Sequence, residues 1–352
     1  MARGMTSRGG PVLQAAAAVS DPPVAIVIPA YRVAAHIEQV VRGLPGWVSS
    51  IVVVDDASPD AVSEIVQRLA AADPRIELVR HEHNQGVGGA VCSGYRRALE
   101  RGAQIVVKMD GDGQMDPGYL RRLIAPIVRG DADYTKGNRF HHSDDLRQMP
   151  LVRLIGNAAL GFLVRLSSGY WNLYDPTNGY TAIHHQALSS LRLETMARDY
   201  FFESHMLGEL GLLGACTSDV PIPARYGDEA SSMRLGRILR RFPWLLFKGF
   251  IKRLWLRHLM ASFSVFGLYV SVGTLLLVTG TLFGVWHWVG STLTGVPATP
   301  GTVMVGALPV TLGFILWVQA IAVDVASVPR LPLARLPERE PLEETSGEVP
   351  NV

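Results

Sequence analysis

The sequence predicts an α/β domain of the Rossmann type over residues 24–230, followed by amphipathic helices and a hairpin of two transmembrane helices. Between Val24 and Pro223, short apolar runs alternate with stretches of helical spacing. Two of these runs end in acidic residues. Farther along, a stretch rich in Lys and Arg is followed by two long segments without charge. These observations predict the fold class, and each element follows from its own pattern.

Four continuous apolar runs predict strands. They are Val24–Ile28, Ile51–Val54, Ile76–Val79 and Ile105–Met109. Strands that are apolar throughout and alternate with helices predict a parallel sheet that is covered on both faces. Helical spacing is found at Val33–Arg42, Ala61–Ala71, Gly88–Arg101, Pro117–Val128, Leu151–Leu166 and Phe201–Leu213. Ligands of such sheets bind at the carboxyl ends of the strands, and the acidic residues follow the second and fourth runs.

Residues 231–258 combine basic and apolar side chains at roughly helical spacing, with Pro243 as an interruption. This pattern predicts one or two amphipathic helices on the surface of an anionic membrane. A basic run also suits nucleic acid, but the charge-free segments that follow exclude nucleic acid as the partner and indicate membrane lipids. The two cysteines, Cys92 and Cys216, have no metal or redox spacing and are interpreted as ordinary thiols.

Two segments, Leu259–Val289 and Thr302–Val323, have no charged residue and exceed the roughly 20 residues that span a bilayer core. We therefore assign residues 259–325 to two transmembrane helices, joined by the connector Gly290–Gly301. The positive-inside rule places both flanks in the cytoplasm. The protein is thus predicted to be a multi-pass protein of the cell membrane, with residues 24–230 in the cytoplasm. Residues 1–23 and 326–352 are predicted to be disordered tails.

An acidic motif, Asp110-Gly111-Asp112-Gly113-Gln114, directly follows the fourth predicted strand. Two carboxylates separated by one glycine can turn toward one hard cation, and Mg²⁺ or Mn²⁺ takes such oxygen ligands together with phosphate oxygens. A solvated turn is the alternative for a motif of this kind. Its position at the carboxyl end of a parallel strand favours the metal site.

A second acidic pair, Asp55-Asp56, ends the second predicted strand. These carboxylates can accept hydrogen bonds from a nucleotide base or ribose, or cap the helix that follows, and both roles are compatible. Farther on, Asn84-Gln85-Gly86 opens a helix. We expect Gly86 to allow close approach of a bound ligand, since glycine has no side chain and helix N-termini favour anions.

Taken together, five motifs resemble glycosyltransferase family 2, and within it the polyprenyl-phosphate sugar synthases of the dolichol-phosphate mannose synthase type. The resemblance covers about residues 24–226. The motifs occur in family-like order as Val27-Ile28-Pro29-Ala30-Tyr31, Val53-Val54-Asp55-Asp56-Ala57-Ser58-Pro59-Asp60, Asn84-Gln85-Gly86, Asp110-Gly111-Asp112-Gly113-Gln114-Met115-Asp116-Pro117 and Gly137-Asn138-Arg139-Phe140.

The resemblance implies a GT-A fold and assigns roles to particular residues. The implied metal ligands are Asp110, Asp112 and Gln114, and the implied donor contacts are Pro29, Tyr31, Asp55, Asp56 and Asp110. Arg139, Arg153 and Arg225 match positions that face the acceptor phosphate, and Asp175 matches a loop residue near the reacting centre. Asp112 and Asp175 are therefore the candidate catalytic residues. Two departures are Arg32-Val33, where relatives often have Asn-Glu, and Asn157, which replaces a frequent serine.

The resemblance implies the transfer of a hexose from a UDP- or GDP-sugar to a polyprenyl phosphate, with inversion at the anomeric carbon. The nucleophile, a phosphate oxygen, is already ionised at neutral pH, so cations that position it matter more than a strong base. Arginine suits this task because it binds phosphate bidentately. Asp175 acts as a base or only orients the sugar, and Glu203 is a candidate second acid. His141, His142, His184 and His185 form pairs without a ligand geometry.

Two other functions are compatible with parts of the sequence. A processive polysaccharide synthase of the same fold carries a Q-x-x-R-W motif and more spans, and this sequence has neither. A non-catalytic membrane scaffold with a degenerate transferase domain conflicts with the intact set of Asp110, Asp112 and Gln114. The sequence leaves open the sugar, the nucleobase, the lipid length and whether the chain forms a homo-oligomer.

Overall fold

The computed structural model describes residues 22–139, 151–223, 235–260 and 264–335, and the side chains at 151–155, 157 and 235–240 lie outside this description. Of the predicted acceptor-binding residues, Arg225 lies outside the described ranges, and Arg153 is described only in its backbone. His141 and His142 also lie outside the described residues.

Within the described ranges, seven strands form one sheet in the order β3-β2-β1-β4-β6-β5-β7. The strands are β1 Val24–Ala30, β2 Ser50–Asp55, β3 Ile76–Arg80, β4 Ile105–Lys108, β5 Tyr134–Asn138, β6 Thr181–His184 and β7 Thr217–Pro221. The first four are parallel, as the apolar runs predict. The sheet is nevertheless mixed, because β6 runs antiparallel to both β4 and β5.

The predicted helices are confirmed to within about one turn at each end. The described helices are α1 Ile37–Arg42, α2 Val62–Ala72, α3 Val87–Glu100, α4 Leu120–Val128, α5 Leu151–Ser168, α6 His185–Ser189, α7 Phe202–Leu213, α8 Leu235–Arg253, α9 Val265–Thr294 and α10 Pro300–Ala326. Short helical turns lie at Pro117–Tyr119, Leu193–Thr195 and Leu333–Arg335, and a π-helical segment, Leu254–Met260, continues α8.

The core has two layers, one on each face of the sheet. In β1, Ala25 and Val27 belong to the layer under α3, α5 and α7, whereas Ile26 and Ile28 belong to the layer under α1, α2 and α4. Side chains alternate between faces along a strand, and both faces are covered here, so the strand is apolar throughout. Complete burial of each large aliphatic side chain contributes about 1.5–3 kcal/mol. This packing fixes the strand ends that carry the acidic residues.

Helices α9 and α10 form a hairpin, and each is long and apolar enough to cross a membrane. They approach closely at small residues: a Cβ added at Gly313 would lie 2.9 Å from the backbone nitrogen of Leu277. Large apolar side chains such as Leu282, Trp286 and Phe314 are exposed on the outer surface of the hairpin. An exposed apolar surface of this extent suits contact with lipid. Helical structure continues to Thr294, so the non-helical connector is shorter than the predicted Gly290–Gly301.

The amphipathic stretch forms one helix, because α8 continues through Pro243. Pro243 itself is exposed, while Phe242 before it and Leu246 and Phe250 after it pack into the protein and hold the helix in place. The interruption that the proline predicts is therefore not observed.

The prediction of a disordered tail from residue 326 is wrong for its first ten residues. Ala326 ends α10, and the chain then returns to the α/β domain. There, the backbone N–H of Leu333 donates to Asp133 at 2.9 Å, and Arg335 donates to the carbonyl of Arg129 at 2.8 Å. Buried Asp133 supplies an acceptor that a scan of the tail alone does not reveal. Residues 336–352 and 1–21 lie outside the described ranges.

Candidate active site

The predicted donor-side residues lie together at the carboxyl edge of the parallel strands. Pro29 lies near the end of β1, and Tyr31 directly follows that strand. Asp55 is the last residue of β2 and Asp56 comes next, while Asp110 is the second residue after β4. Because β1 pairs in parallel with both β2 and β4, these ends lie on the same edge of the sheet. Tyr31 is exposed there, under the guanidinium group of Arg32.

The carboxylates of Asp55 and Asp56 are buried and bind the chain's own donors. Asp55 accepts hydrogen bonds from the backbone N–H of Ser58 at 2.7 Å and from the hydroxyl of Ser63. Asp56 lies 2.6 Å from Nδ1 of His81 and accepts the backbone N–H groups of Gln85 and Gly86, both at 2.8 Å. Both acids therefore shape the loops at this edge, and direct contact with a nucleoside stays a prediction.

Gly86 permits a close approach of the chain's own backbone, and its contact with a bound ligand stays a prediction. Gly86 has φ +85°, and a Cβ there would overlap the carbonyl oxygen of Arg198. That same carbonyl accepts the backbone N–H of Gly88 at 2.8 Å. The N–H groups of Gly88 and Gly89 thus bond to Arg198, and Gly86 serves the packing of the loop around that residue.

A cleft of about 360 Å³ opens beside these loops. It is lined by Ala57, Ser58, Arg80, His81 and Glu82, at the carboxyl ends of β2 and β3. Ala57 has a positive φ of 55°, which is uncommon for a residue with a side chain and typical of functional sites. The lining residues Arg80, His81 and Glu82 of the cleft were not predicted from the sequence.

Asp110 and Asp112 carry the carboxylates of the predicted site for a divalent cation. Asp112 accepts the backbone N–H of Gln114 at 3.0 Å, and the side chain of Asp110 is 31% exposed. Gly179 leaves space above Asp110, because a Cβ at Gly179 would lie 2.9 Å from Oδ2 of that carboxylate. No cluster of three or more His, Cys, Asp or Glu side chains converges within the described residues. A cation here would complete its coordination with phosphate or water oxygens, as Mg²⁺ commonly does.

A buried lysine, Lys108, lies beneath Asp110. Its Nζ is 2.8 Å from Oδ1 of Asp110 and 3.0 Å from Oε1 of Glu203 on α7. Burial by itself lowers the pKa of Lys108, but the two carboxylates outweigh burial and hold the pKa above its ordinary value. The ammonium group therefore stays charged and fixes an acid of the metal motif to an acid of α7. Glu203, the candidate second acid, is thereby located at the site.

On the acceptor side, Arg139 and Asp175 form a bidentate ion pair. Nε and Nη2 of Arg139 lie 2.7 and 3.2 Å from the two carboxylate oxygens of Asp175. Asp175 is fully buried, and it also accepts the hydroxyl of Thr177 at 3.1 Å and the backbone N–H of Arg139 at 3.3 Å. These four donors use the roughly four lone-pair sites of a carboxylate. The geometry favours an orienting role for Asp175 over proton abstraction.

A row of polar side chains connects the two sides across the sheet. In register, Lys108 pairs with Thr181, Thr181 with Lys136, and Lys136 with Asp219. Paired residues of neighbouring strands point to the same face. Lys136 is fully buried, and its Nζ has no hydrogen-bond partner within the described part of the chain. Burial lowers the pKa of Lys136 to about 8, against the opposing effects of Glu203 and Asp175.

Comparison with known proteins identifies the family. Residues 25–192 match the family model described as glycosyl transferase family 2. A UDP-N-acetylglucosamine–dolichyl-phosphate N-acetylglucosaminyltransferase from Methanococcus voltae is 31% identical over 52% of this chain and 77% of that protein. The chain belongs to glycosyl transferase family 2. An undecaprenyl-phosphate mannosyltransferase from Micrococcus luteus is 33% identical over 49% of this chain and 71% of that protein.

The fold is GT-A, as the motifs predict. Glucosyl-3-phosphoglycerate synthase from Mycobacterium tuberculosis, solved with Mn²⁺ and UDP-glucose, superposes with a TM-score of 0.50 at 21% identity. The superposition covers 65% of this chain and 79% of that chain. The likeness concerns the fold of the glycosyltransferase domain.

Two buried lysines are further site residues that the sequence did not predict. Lys108 was part of an apolar run and Lys136 was in no predicted strand. Lysine is almost never fully buried unless it is paired or functional, so a lysine within a continuous apolar run was the available signal for Lys108. For Lys136, strand β5 had first to be recognised, and its sequence Tyr134-Thr135-Lys136-Gly137-Asn138 lacks the apolar pattern.

Replacement of Lys136 by methionine is expected to stabilise the fold. The folded-state pKa of about 8 lies below the ordinary 10.5, so burial of the charge opposes folding at pH 7. The gain in unfolding free energy should be on the order of 3 kcal/mol at pH 7 and should vanish as the pH rises from 8 to 10.5. Thermal unfolding at several pH values measures this gain.

The matched control is Lys248→Met, because Lys248 is exposed and the replacement should leave stability unchanged. If Lys136→Met lowers stability at pH 7, the buried lysine supports the fold and this prediction is wrong.

Proposed function

We propose that the protein transfers a hexose from a UDP- or GDP-linked donor to a polyprenyl phosphate at the cytoplasmic face of the cell membrane. One feature carries this proposal: the loop from Asp175 to Gly179 joins the two halves of the site. At Asp175 the loop holds Arg139, and at Gly179 it passes close to Asp110. The names of the relatives support a lipid phosphate as the acceptor.

On the donor side, the nucleoside would occupy the cleft beside Arg80 and His81, near Tyr31. Asp110 and Asp112, with Gln114 beside them, would hold Mg²⁺ or Mn²⁺, which would neutralise charge on the donor diphosphate as the nucleotide leaves. The matched GT-A structure contains Mn²⁺ and UDP-glucose, so this pair is the first to test. Lys108 keeps Asp110 in place and prevents its carboxylate from turning away from the diphosphate.

On the acceptor side, Arg139 would orient the lipid phosphate, with Arg153 and Arg225 as further candidates. A phosphate oxygen is ionised at neutral pH, so the reaction needs orientation and charge more than a base. Asp175 fixes the plane of the Arg139 guanidinium, whose side chain is 36% exposed. In a single displacement the phosphate attacks the anomeric carbon opposite the departing diphosphate, which inverts that centre and gives a β-linked product with the donors of this family.

The proposed location at the membrane is supported by helix α8 and by the hairpin of α9 and α10. Along α8 and its π-helical continuation, Trp244, Phe247, Ile251 and Trp255 are exposed on one face. Lys248 and Lys252 flank this face, so it suits insertion among anionic headgroups. The phosphate of the proposed lipid substrate lies at the depth of these headgroups. The positive-inside rule favours a cytoplasmic catalytic domain and an outward connector.

The central test measures transfer of radiolabel from a panel of UDP- and GDP-sugars to polyprenyl phosphate with Mn²⁺ or Mg²⁺. Asp112→Ala is expected to lower the rate at least about 100-fold, because charge on the leaving diphosphate loses its stabilisation. Asp131→Ala is the matched control, since Asp131 is exposed and pairs with Arg129 outside the site. Chelation of the metal should stop transfer, and added Mn²⁺ should restore it.

Three results of this assay would contradict the proposal. Absence of lipid-soluble product with every donor would support a non-catalytic scaffold. A long polymer from one donor would support a processive synthase. Full activity of the Asp112→Ala variant would refute the metal site.

Arg139→Lys is expected to raise the KM for polyprenyl phosphate about tenfold, because lysine binds phosphate as a point charge and loses the bidentate geometry. The KM for the donor should not change. Asp175→Asn should have a similar effect, since it releases Arg139. Steady-state kinetics with each substrate varied in turn measures both. If Asp175→Asn instead lowers kcat and removes the acidic limb of the pH profile, Asp175 is the base.

A cysteine at Val296 in the connector is expected to react with a membrane-impermeant maleimide in intact cells, because the connector faces outward. A cysteine at Glu64, exposed on α2, is the matched control and should react only after permeabilisation. The native Cys92 and Cys216 are buried and give little background. The reverse labelling pattern would show that the orientation is wrong.

A further inference from the structure

An acid at the end of the second membrane helix is bound to the catalytic domain. Asp324 lies in the last turn of α10 and is the first acidic residue after Glu229. It is 1% exposed, and its carboxylate receives three donors. Arg253 of α8 donates from Nη1 and Nη2 at 2.8 and 2.9 Å, and Trp171 donates from Nε1 at 2.7 Å. We call Asp324, Arg253 and Trp171 the hairpin clamp.

The guanidinium group of Arg253 is enclosed by the neighbouring elements of the chain. Its Nη2 also donates to the carbonyl of Leu166 at 2.8 Å, at the end of α5, and its guanidinium group lies 5.4 Å from the ring centre of Phe266 on α9. Gly169, at φ +83°, passes so close that a Cβ would overlap Nη1 of Arg253. The clamp therefore joins the α/β domain, the interfacial helix and both membrane helices.

A buried ion pair of this kind is weak evidence for stability, because the loss of hydration can exceed the attraction between the charges. An apolar pair would also fill the space. The directed hydrogen bonds of the clamp instead fix one relative position of hairpin and domain, as a polar group in an apolar interface does when it specifies register.

The clamp is continuous with the acceptor-side loop. Trp171 precedes Asp175 by four residues, and its ring packs on Phe162 with the ring centres 5.7 Å apart. In the segment between Trp171 and Asp175, the side chain of Asn172 donates to the carbonyl of Thr217 at 2.7 Å. The backbone N–H of Tyr174 donates to Asp219 at 3.0 Å. The loop is thus fixed by α10 at one end and by β7 along its length, and it then holds Arg139 through Asp175.

We propose that the hairpin clamp sets the height of the acceptor-side loop above the membrane, so that Arg139 meets the lipid phosphate at headgroup depth. This inference rests on the proposed function. Asp324, Arg253 and Trp171 are positioning residues, because they act through the loop and do not touch the reacting atoms. A hairpin that only anchored the domain would not need contact with this loop.

Two variants test the proposal without leaving a buried charge unpaired. Trp171→Phe removes one hydrogen bond and keeps the aromatic packing, whereas Arg253→Met with Asp324→Leu replaces the ion pair by apolar groups of similar size. In liposomes, each should raise the KM for a long-chain polyprenyl phosphate about fivefold, the effect of a lost hydrogen bond. With a short-chain, water-soluble prenyl phosphate, KM and kcat should not change. Trp47→Phe is the matched control, because Trp47 lies on the loop before β2 and is distant in sequence from the clamp residues.

Hydrogen exchange gives a second readout that does not depend on activity. In both variants, amides of residues 172–178 should exchange faster, while those of α3 should keep the wild-type rate. If both variants retain the wild-type KM in liposomes and the wild-type exchange of the loop, the clamp does not position it. If the wild type transfers sugar to no polyprenyl phosphate, the proposed function fails, and the exchange rates alone decide whether the clamp holds the loop.

Discussion

The ammonium group of Lys108 lies between Asp110 and Glu203, out of contact with water, and the rest of the site is arranged around it. Without this cation, two carboxylates from different elements would repel each other in a space of low dielectric constant. With it, β4 and α7 are held together at the carboxyl edge of the sheet. Gly179 then closes over the pair because it has no side chain that would collide with Lys108. The position of one lysine thus determines where the acceptor-side loop can run.

Three buried or half-buried cations lie close to carboxylates in the site before any substrate binds. Lys108, Lys136 and Arg139 face the carboxylates of Asp110, Asp175 and Glu203. The two proposed substrates, a donor diphosphate and a lipid phosphate, both add negative charge, so the site needs cations that are already held in place and need little rearrangement. The pair of buried Asp175 and half-buried Arg139 meets this need, because the orientation of the guanidinium is fixed before a phosphate binds. Lys136, with no hydrogen-bond partner among the described residues, adds positive charge beneath them.

Sequence patterns predicted the elements whose burial is uniform. Strands β1 to β4 are covered on both faces, so their apolar runs were visible, and the acids after β2 and β4 were correctly placed at one edge. Strands β5 to β7 are short or carry polar residues that face the site, which removes the apolar signal. The pairing of Arg139 with Asp175 joins residues 36 positions apart and depends on the antiparallel strand β6. The roles of Gly86, Pro243 and the segment around Leu333 depend on long-range contacts that local spacing does not encode.

The two substrates of the proposed reaction come from different phases, and the structure separates their approach. The nucleotide sugar comes from water and would enter the cleft beside Arg80. The lipid phosphate is confined to a plane, so a catalytic domain on a loose tether would reach it at many heights and angles, few of them productive. In our proposal, the exposed face of α8 holds the domain at the membrane surface, and the hairpin clamp of Asp324, Arg253 and Trp171 sets the height of the acceptor-side loop. The loop from Trp171 to Gly179 extends from the hairpin clamp to the carboxylate of Asp110. It therefore connects the position of the hairpin to the place where the lipid phosphate, the sugar and the diphosphate must align.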